Sequence, residues 1–451
     1  MKPEEKLARR IVETLQSEGE AAYFVGGCVR DQLLGRDIQD WDVATSAPAA
    51  KVRSLFAKSE EVGAAFGVVL VHGAGATVEV ATFRKDFDYQ DGRRPERVMF
   101  TSLVEEDVRR RDFTINGLLY DPIQDKVLDL VAGQEDIANR LVRAIGNPLE
   151  RFEEDHLRML RAVRFAARLG FEIEARTLAA IRKSAPAIGR IAAERVRDEL
   201  ARILTEGGAR RGLELLDETG LLTEILPEVA ALQGVEQSPE PHPEGDVWTH
   251  TLLLLENLPA AASVTLAMGA LLHDIGKPAT FERRPDRIRF HGHVEAGVKI
   301  GERICRRLRF SNADTEQILA LIANHMRFMH LQQMRPSKLK MFLRQAEFAE
   351  HLELHRLDCT ASHGKLDNYE FARQSLETFG EQGLRPKPLV TGKALIEGGF
   401  QAGPSFSEII EAAETAQLEG AFDTKEAGME WVGRRWSPPN GHSTEGGPGE
   451  G

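Results

Sequence analysis

Two carboxylates, Asp40 and Asp42, follow shortly after the run Val25-Gly26-Gly27-Cys28-Val29-Arg30-Asp31, and together these residues are suited to chemistry on phosphate. The apolar stretch 41–44 begins inside the Asp-x-Asp pair. On a strand, residues i and i+2 face the same side, so both carboxylates converge on one point. Hard oxygen donors at that spacing suit magnesium, and two ions about 3.5–4 Å apart can clamp the attacking and leaving oxygens of a phosphoryl transfer. Gly26 and Gly27 let the backbone approach phosphate oxygens with no Cβ in the way, and the following helix offers N–H groups to an anion. An isolated Asp-x-Asp is most often a solvated turn. The glycine turn and Arg30-Asp31 ahead of this pair move the reading to a magnesium-dependent nucleotidyl-transfer site.

The elements that must hold these residues are a strand, a turn and a helix. Residues 23–25 are short, apolar and β-prone, Gly26-Gly27 breaks them, and 29–34 carries apolar residues at helical spacing. Residues 1–145 continue to alternate helical and strand-like stretches, which predicts a catalytic head with a small mixed sheet and helices against one side. From 146 to 235 the pattern is almost wholly helical, with Leu157, Leu160, Val163, Phe165 and Leu169 at three- and four-residue spacing. Residues 237–245 hold Pro239, Pro241 and Pro243, which cannot continue a helix, and read as a linker. A histidine-rich helical block over 246–380 follows, then Arg385-Pro386-Lys387-Pro388 and a small helical unit over 385–436. The glycine, proline and polar residues of 437–451 read as a disordered tail. The expected fold class is α+β, with every unit after the head all-α.

A chain of 451 residues can bury several cores. Its net charge of −12 argues for a confined basic face if it binds nucleic acid, since affinity for phosphate backbones comes from local surface. Basic residues thicken over 158–211, on helices that also carry glutamates, where the ordinary outcome is a solvated, ion-paired face. No leading segment resembles a signal peptide and no run is long enough to span a bilayer, so a cytoplasmic protein without membrane contact is expected. Cys28, Cys305 and Cys359 lack metal-type spacing and read as reduced thiols.

The run Gly26-Gly27-Cys28-Val29-Arg30-Asp31-Gln32-Leu33-Leu34-Gly35-Arg36, then Asp40-Trp41-Asp42-Val43-Ala44-Thr45, resembles the first motif of the class II tRNA nucleotidyltransferase and poly(A) polymerase family, within the polymerase β superfamily. The resemblance implies that Asp40 and Asp42 bind catalytic metals and that Gly26, Gly27 and Arg30 cradle a triphosphate. It also implies a third acidic group, for which Glu79 on the β-like segment 77–84 is the candidate. Residues 84–95 read as a mobile surface loop. In CCA-adding and A-adding members a loop here helps switch from cytidine to adenosine, and its length speaks against a CC-only enzyme. Arg109-Arg110-Arg111-Asp112-Phe113-Thr114-Ile115-Asn116 is similar to the second motif, with Arg111, Asp112 and Asn116 near the incoming ribose and triphosphate. Gly117 departs from the alanine common in the family.

Glu154-Asp155-His156-Leu157-Arg158-Met159-Leu160-Arg161 resembles the family's base-reading motif. On a helix, Asp155 and Arg158 would share a face. A carboxylate accepts from the exocyclic amine of cytosine or adenine while arginine donates to the neighbouring ring acceptor. Guanine and uracil present the opposite order and would leave charged groups unpaired, at ~1–3 kcal/mol each. As an isolated pair the two would be an intrahelical salt bridge worth ~0.2–0.5 kcal/mol. Arg161 and the stretch through Phe171 continue the motif, and Glu194-Arg195-Val196-Arg197-Asp198-Glu199-Leu200 resembles the next one, a support for the base-reading helix.

His250, the adjacent pair His273-Asp274 and the distant Asp358 resemble the HD phosphohydrolase superfamily, and the surrounding sequence resembles the HD module of bacterial CCA-adding enzymes. Imidazole and carboxylate donors suit manganese, nickel, iron or magnesium, and a bound ion lowers the pKa of water. His293 and His325 would complete a second metal position. Lys393, at a glycine-containing helix start, is a candidate contact for a tRNA phosphate or simply part of a capping turn.

What the resemblance implies is template-independent addition of CCA to the 3′ end of tRNA from CTP and ATP with Mg²⁺, and a secondary phosphohydrolase activity at a divalent transition metal or Mg²⁺. The alternatives are an A-adding enzyme, a phosphohydrolase whose head docks RNA and, last, a poly(A) polymerase.

Overall fold

The computed structural model describes residues 2–62, 66–73, 75–87, 97–240, 242–285 and 287–436, which fall into two compact units, 1–315 and 316–451. The first unit opens with helix α1 (Pro3–Ser17), begun by a proline and by Glu4 and Glu5 in its first turn. The strands of the head are β1 (Ala22–Val25), β2 (Asp42–Thr45), β3 (Ser59–Glu61), β4 (Val68–Gly73), β5 (Ala76–Thr82), β6 (Arg84–Phe87), β7 (Arg97–Phe100), β8 (Leu119–Asp121) and β9 (Lys126–Leu128). Seven of them form one sheet in the order β3-β4-β5-β2-β1-β8-β9. Leu7, Ala8, Ile11, Val12 and Leu15 make the apolar stripe of α1 and pack with Phe24, Val43, Val69, Val71, Val78 and Val80 of the sheet. All its pairings are antiparallel except β2 with β5, which sets Asp42 opposite Glu79.

Helix α2 (Gly27–Leu33) leaves the glycine turn, where Gly26 has φ +74° and ψ −127°, a conformation that L side chains rarely adopt. The turn needs glycine for its backbone. Short helices α3 (Ala49–Leu55), α4 (Val104–Arg109) and α5 (Gly133–Ala138) complete the head. Part of the expected loop over 84–95 is strand: β6 pairs with β7 from Arg84↔Phe100 to Phe87↔Arg97, and residues 88–96 lie outside the described residues.

Two short parallel strands, β10 (Leu141–Val142) and β11 (Glu172–Ile173), accompany the turn to the helical neck. There α6 (Pro148–Glu154), capped by Asn147, gives way to α7 (Leu157–Leu169), which ends at Gly170 with φ +67°. Helices α8 (Ala175–Ser184), α9 (Ala193–Thr205), α10 (Ala209–Glu218), α11 (Leu221–Ile225) and α12 (Pro227–Ala230) follow. Asp155 is not helical, contrary to expectation. It has extended dihedrals between α6 and α7, and its carboxylate accepts from the backbone N–H of Leu157 at 3.1 Å. A short acidic side chain gains more by capping a helix start than by continuing one.

The histidine-rich segment of this unit holds α13 (Val247–Glu256), capped by Asp246, and α14 (Val264–Leu272), capped by Ser263. A hairpin of β12 (Glu282–Arg283) and β13 (Ile288–Arg289) precedes α15 (His293–Arg307), so the block is not wholly helical. Nor is the proline-rich stretch before it a bare linker: Gln237 is buried and accepts from Lys277 at 2.6 Å.

The second unit, whose boundary falls inside the expected 246–380 block, takes up within α16 (Asn312–Asn324) and runs through α17 (Pro336–Leu343), α18 (Phe348–Ala361), α19 (Asp367–Leu384), α20 (Gly392–Glu397), α21 (Ser405–Leu418) and α22 (Lys425–Gly433). Its described residues include an apolar cluster around Phe328, Phe342 and Phe348 and another around Leu395, Ile409 and Val432. The tail expected to be disordered lies outside the described residues. Among the described residues no helix is long and apolar enough to cross a membrane.

Candidate active site

Strand pairing builds the acidic centre of the head. Asp42 opens β2, Glu79 is its register partner on β5, and Asp40 stands just before the strand. Asp42 is half-buried whereas Asp40 and Glu79 are exposed. Burial, then the charge of Glu79 and that of Asp40, push the Asp42 carboxyl up to about 6 against the pull of Arg111. Carboxylate oxygens near one another, with negative charge in excess, are the donor type a hard divalent cation takes.

The glycine turn runs beside these carboxylates, and Cys28 Sγ, buried beneath it, donates to the carbonyl of Val25 at 3.2 Å. Burial, the largest influence, holds that thiol up at about 11, so it is not a nucleophile at neutral pH. The guanidinium of Arg111 lies over the turn, 3.5 Å from where a Cβ on Gly26 would stand, and that of Arg30 lies 3.6 Å from the same position on Gly27. Arg111 is steadied by Asp107 at 2.8 Å.

From Arg30 a chain of buried polar contacts crosses to the neck. Arg30 Nη1 donates to Asn116 Oδ1 at 2.7 Å, and Asn116 Nδ2 donates to Asp112 Oδ1 at 3.1 Å. Asp112 Oδ2 accepts from Arg161 Nε at 2.8 Å and Nη2 at 2.6 Å. Burial would raise the Asp112 carboxyl, but the charge of Arg161 and the bonds from Asn116 and Arg161 outweigh it and hold it at about 2. Glu199 continues the chain, 3.9 Å from Arg161 and 2.9 Å from Arg164. The ring of Phe165 lies under three guanidiniums, those of Arg30, Arg161 and Arg164, at 5.2, 5.4 and 4.7 Å from its centroid. The structure therefore brings Arg30, Arg111, Asp112, Asn116 and Arg161 together around the turn.

The side chains of Asp155 and Arg158 have other partners, although the Arg158 N–H donates to the Asp155 carbonyl at 3.1 Å. Arg195 Nη2 donates to Asp155 Oδ2 at 2.9 Å, while Arg158 Nη1 donates to Glu154 Oε2 at 2.6 Å and Nη2 to the carbonyl of Arg110 at 3.2 Å. Much of the basic density over 158–211 is ion-paired too, as in Arg168 with Glu206, Arg202 with Glu206 and Arg211 with Glu172.

In the histidine-rich segment of the same unit, His250 Nε2 lies 3.3 Å from His273 Nε2, and Asp274 Oδ2 is 3.2 Å from His273 Nε2. His293 Nε2 is 3.7 Å from Asp274 Oδ1. The Nδ1 atoms of His273 and His293 face the carbonyls of Ala270 and Phe290, each at 2.9 Å. A carbonyl only accepts, so the proton of each neutral ring sits on Nδ1 and the lone pair on Nε2. These Nε2 lone pairs and the Asp274 carboxylate form a mixed nitrogen and oxygen donor set that fits a divalent metal. The other two expected ligands belong to the second unit: Asp358 is half-buried on α18, and His325 follows α16 with Nδ1 2.7 Å from the carbonyl of Ile322.

Sequence reasoning passed over Lys277, which is buried with Nζ 2.7 Å from Asp274 Oδ2, and Glu244, whose Oε1 is 2.7 Å from His250 Nδ1. A signal for Lys277 was present in its i,i+3 spacing from Asp274. Lys393, on α20, is highly exposed, and Thr391 caps that helix.

Three models of known protein families match segments of the chain. Residues 22–143 match the Poly A polymerase head domain, 170–232 the probable RNA and SrmB-binding site of polymerase A, and 246–349 the HD domain. The CCA-adding enzyme of Geobacillus thermodenitrificans is 46% identical over 230 residues, 51% of this chain and 56% of that protein. That of Limosilactobacillus reuteri (strain DSM 20016) is 44% identical over 214 residues, 48% of this chain and 53% of that protein. The chain thus spans about half the length of the curated relatives it matches. The crystal structure of the Bacillus stearothermophilus CCA-adding enzyme in complex with CTP superposes with a TM-score of 0.74 at 29% identity, covering 96% of this chain and 98% of that one. The Thermotoga maritima CCA-adding enzyme complexed with tRNA shares the fold, with a TM-score of 0.59 at 19% identity over 96% and 95% of the two chains. The chain thus carries, in this order, matches to a Poly A polymerase head, an RNA-binding segment and an HD domain, and over about half its length it is similar to CCA-adding enzymes.

Proposed function

We propose that this protein adds CCA to the 3′ end of tRNA from CTP and ATP without a nucleic-acid template. The observation that carries the reading is the β2–β5 register that sets Asp42 opposite Glu79, with Asp40 near enough for its charge to act on Asp42 and Arg111 beside the neighbouring glycine turn. The terminal ribose hydroxyl attacks the α-phosphorus, a new ester bond forms, the bond to the bridging oxygen breaks and pyrophosphate leaves. Asp40 and Asp42, with Glu79, would hold Mg²⁺, which when bound supplies positive charge at the reacting oxygens. Gly26, Gly27, Arg30 and Arg111 face the triphosphate, and Asp112 and Asn116 the ribose. Arg161 positions Asp112 through its two hydrogen bonds.

Asp155 and Arg158 select the base by donor and acceptor order. Each must first exchange its present partner, Arg195 or Glu154, for the base edge. The reading places the protein in the cytoplasm, where tRNA is matured.

The alignment of His250, His273, Asp274 and His293 supports a second activity, metal-dependent hydrolysis of a phosphate ester, in which a transition metal or Mg²⁺ would supply an activated water.

The test offers the protein tRNA transcripts ending at the discriminator base, at C and at CC, with each labelled nucleotide and magnesium. Extension of all three to CCA is expected. Growth of the CC-ended transcript alone, by one AMP, would make this an A-adding enzyme. No growth beside active ester hydrolysis would leave the head as an RNA-docking module.

A further inference from the structure

The histidines of the HD segment fix their tautomers in two different ways. His273 and His293 direct Nδ1 at the carbonyl three residues upstream, that of Ala270 or Phe290. His273 stands just past the end of α14, where the last-turn carbonyls lack intrahelical partners, and His293 opens α15, where the preceding chain supplies one. His250 has neither option. It is the fourth residue of α13, its own N–H bonds to the carbonyl of Asp246, and the carbonyl three residues upstream, on Val247, accepts from Thr251 Oγ1 at 2.8 Å.

We propose that Glu244 is a positioning residue of the HD metal centre, fixing the proton of His250 on Nδ1 so that its Nε2 lone pair meets that of His273 at the metal. The inference rests on the reading of this cluster as a metal site. Glu244 lies in the turn ahead of α13, its side chain is 6% exposed, and its Oε1 stands 2.7 Å from His250 Nδ1 and 3.0 Å from His242 Nδ1. A carboxylate only accepts, so His250 is the donor.

The alternative tautomer would turn an N–H at His273 Nε2, 3.3 Å away, and remove a donor atom from the metal. A carboxylate behind an imidazole also raises its basicity, which a carbonyl does less. His242 meets the same oxygen with its ring roughly perpendicular to that of His250, centroids 5.2 Å apart, and so keeps the carboxylate turned toward α13. Glu244 thus acts from behind a ligand.

Full-length protein labelled with ¹⁵N-histidine and stripped of metal gives the tautomer of each ring from two-bond nitrogen–proton spectra at pH 7.5. Titration of the same protein with Ni²⁺ alone, an ion that prefers imidazole, gives affinity and stoichiometry. Glu244→Ala should release His250 into mixed tautomers and weaken Ni²⁺ by about 10–100-fold. Glu244→Gln, whose amide oxygen still accepts, should keep the Nδ1 proton and lose less than about tenfold. A Glu244→Ala protein whose His250 stays on the Nδ1 tautomer and whose affinity stays within about twofold overturns the proposal. Loss of one bound equivalent in both Glu244→Ala and His242→Gln overturns it as well, since Glu244 would then be a ligand. If the wild type binds no Ni²⁺, the metal reading of the cluster fails, while the tautomer spectra still decide what Glu244 does.

Discussion

The acidic centre of the head and the histidine cluster prepare for a cation in opposite ways. In the head, burial, helped by the charge of Glu79 that strand register sets opposite, pushes the Asp42 carboxyl up to about 6. In the histidine cluster, Asp274 already has a cation at hand in Lys277, and what is prepared is the direction of ring lone pairs. An excess of charge attracts a hard ion of any geometry, whereas aligned lone pairs select by donor type. The difference is that between a β-sheet, which sets side chains in fixed rows, and helix ends, which offer carbonyls to whatever ring stands beside them.

The largest effect should come from Asp42→Asn. Removing half of the crowded pair abolishes both the excess charge and a metal donor, and loss of several kcal/mol of charge stabilisation corresponds to about 10³-fold or more in nucleotide addition. Ni²⁺ binding at the histidine cluster should stay within about twofold. An Asp42→Asn protein that adds nucleotides at a tenth of the normal rate would remove the acidic centre from the reaction.

Two imidazoles of the second unit, His351 and His355, sharpen the contrast, because they are buried beside aromatic rings. His355 stacks on Phe328 with centroids 4.3 Å apart, and burial, the main cause in each case, holds His351 and His355 at about 4. Their ordinary value is 6.5, so the folded unit excludes protons that the unfolded chain takes up below that pH. Stability is fully present above about 6.5 and falls as the pH drops toward 4, by ~3 kcal/mol for each group at 1.36 kcal/mol per unit. Asp112 in the first unit has the opposite assignment: held at about 2, it loses its contribution only as the pH falls from 3.8 to about 2. Acid unfolding followed by tryptophan emission and hydrogen exchange should show residues 316–436 opening first, between pH 6 and 4. Simultaneous opening of both units near pH 3 would contradict it, and His351→Phe with His355→Phe should abolish the early step.

Lys277→Met would make the histidine cluster resemble the head, leaving Asp274 without the ammonium at 2.7 Å. With the competing charge gone, Ni²⁺ should bind about tenfold more tightly. The variant should also be less stable by ~1–3 kcal/mol, since Gln237 Oε1 loses its donor. Weaker binding would mean instead that Lys277 acts by orienting Asp274.

The strand, turn and helix that carry Gly26 to Asp42 were legible because glycine, β-branched residues and the Asp-x-Asp pair each impose local geometry. Glu79 came from family resemblance, since nothing local tells a strand carboxylate which neighbour it will meet; the β2–β5 pairing decides that. The helical neck was legible from its apolar spacing, but the break at Asp155 was not, because Asp-x-x-Arg has the same spacing whether the aspartate continues a helix or caps the next one. The β12–β13 hairpin has two-residue strands, too short for any periodicity to register. Glu244 and Gln237 were hidden in a proline-rich stretch whose composition spoke of a linker, while their roles depend on partners 6 and 40 residues away.

The smallest effect expected is on the neck and bears on what Asp155 is waiting for. Arg195 and Asp155 are 24% and 16% exposed at their side chains, whereas Arg164 of α7 and Glu199 of α9 are 3% and 7% exposed. A partly solvated pair is worth at most ~1 kcal/mol, and a buried one costs ~3–5 kcal/mol when a single partner is removed. Arg195→Ala should therefore move the melting temperature by no more than about 2–4 °C. Its effect should appear in nucleotide selection, because an Asp155 without Arg195 keeps its cap to Leu157 but loses the group that sets its second oxygen. Competition between CTP and UTP on a transcript ending at C measures that selection. A large drop in melting temperature with unchanged selection would make Arg195–Asp155 a strut of the neck, on a level with Arg164–Glu199, and leave the base to other residues. A small drop with selection weakened about two- to fivefold, or ~0.4–1 kcal/mol, would mark the pair as the resting state of a base-reading group, one that gives up a weak contact for a specific one.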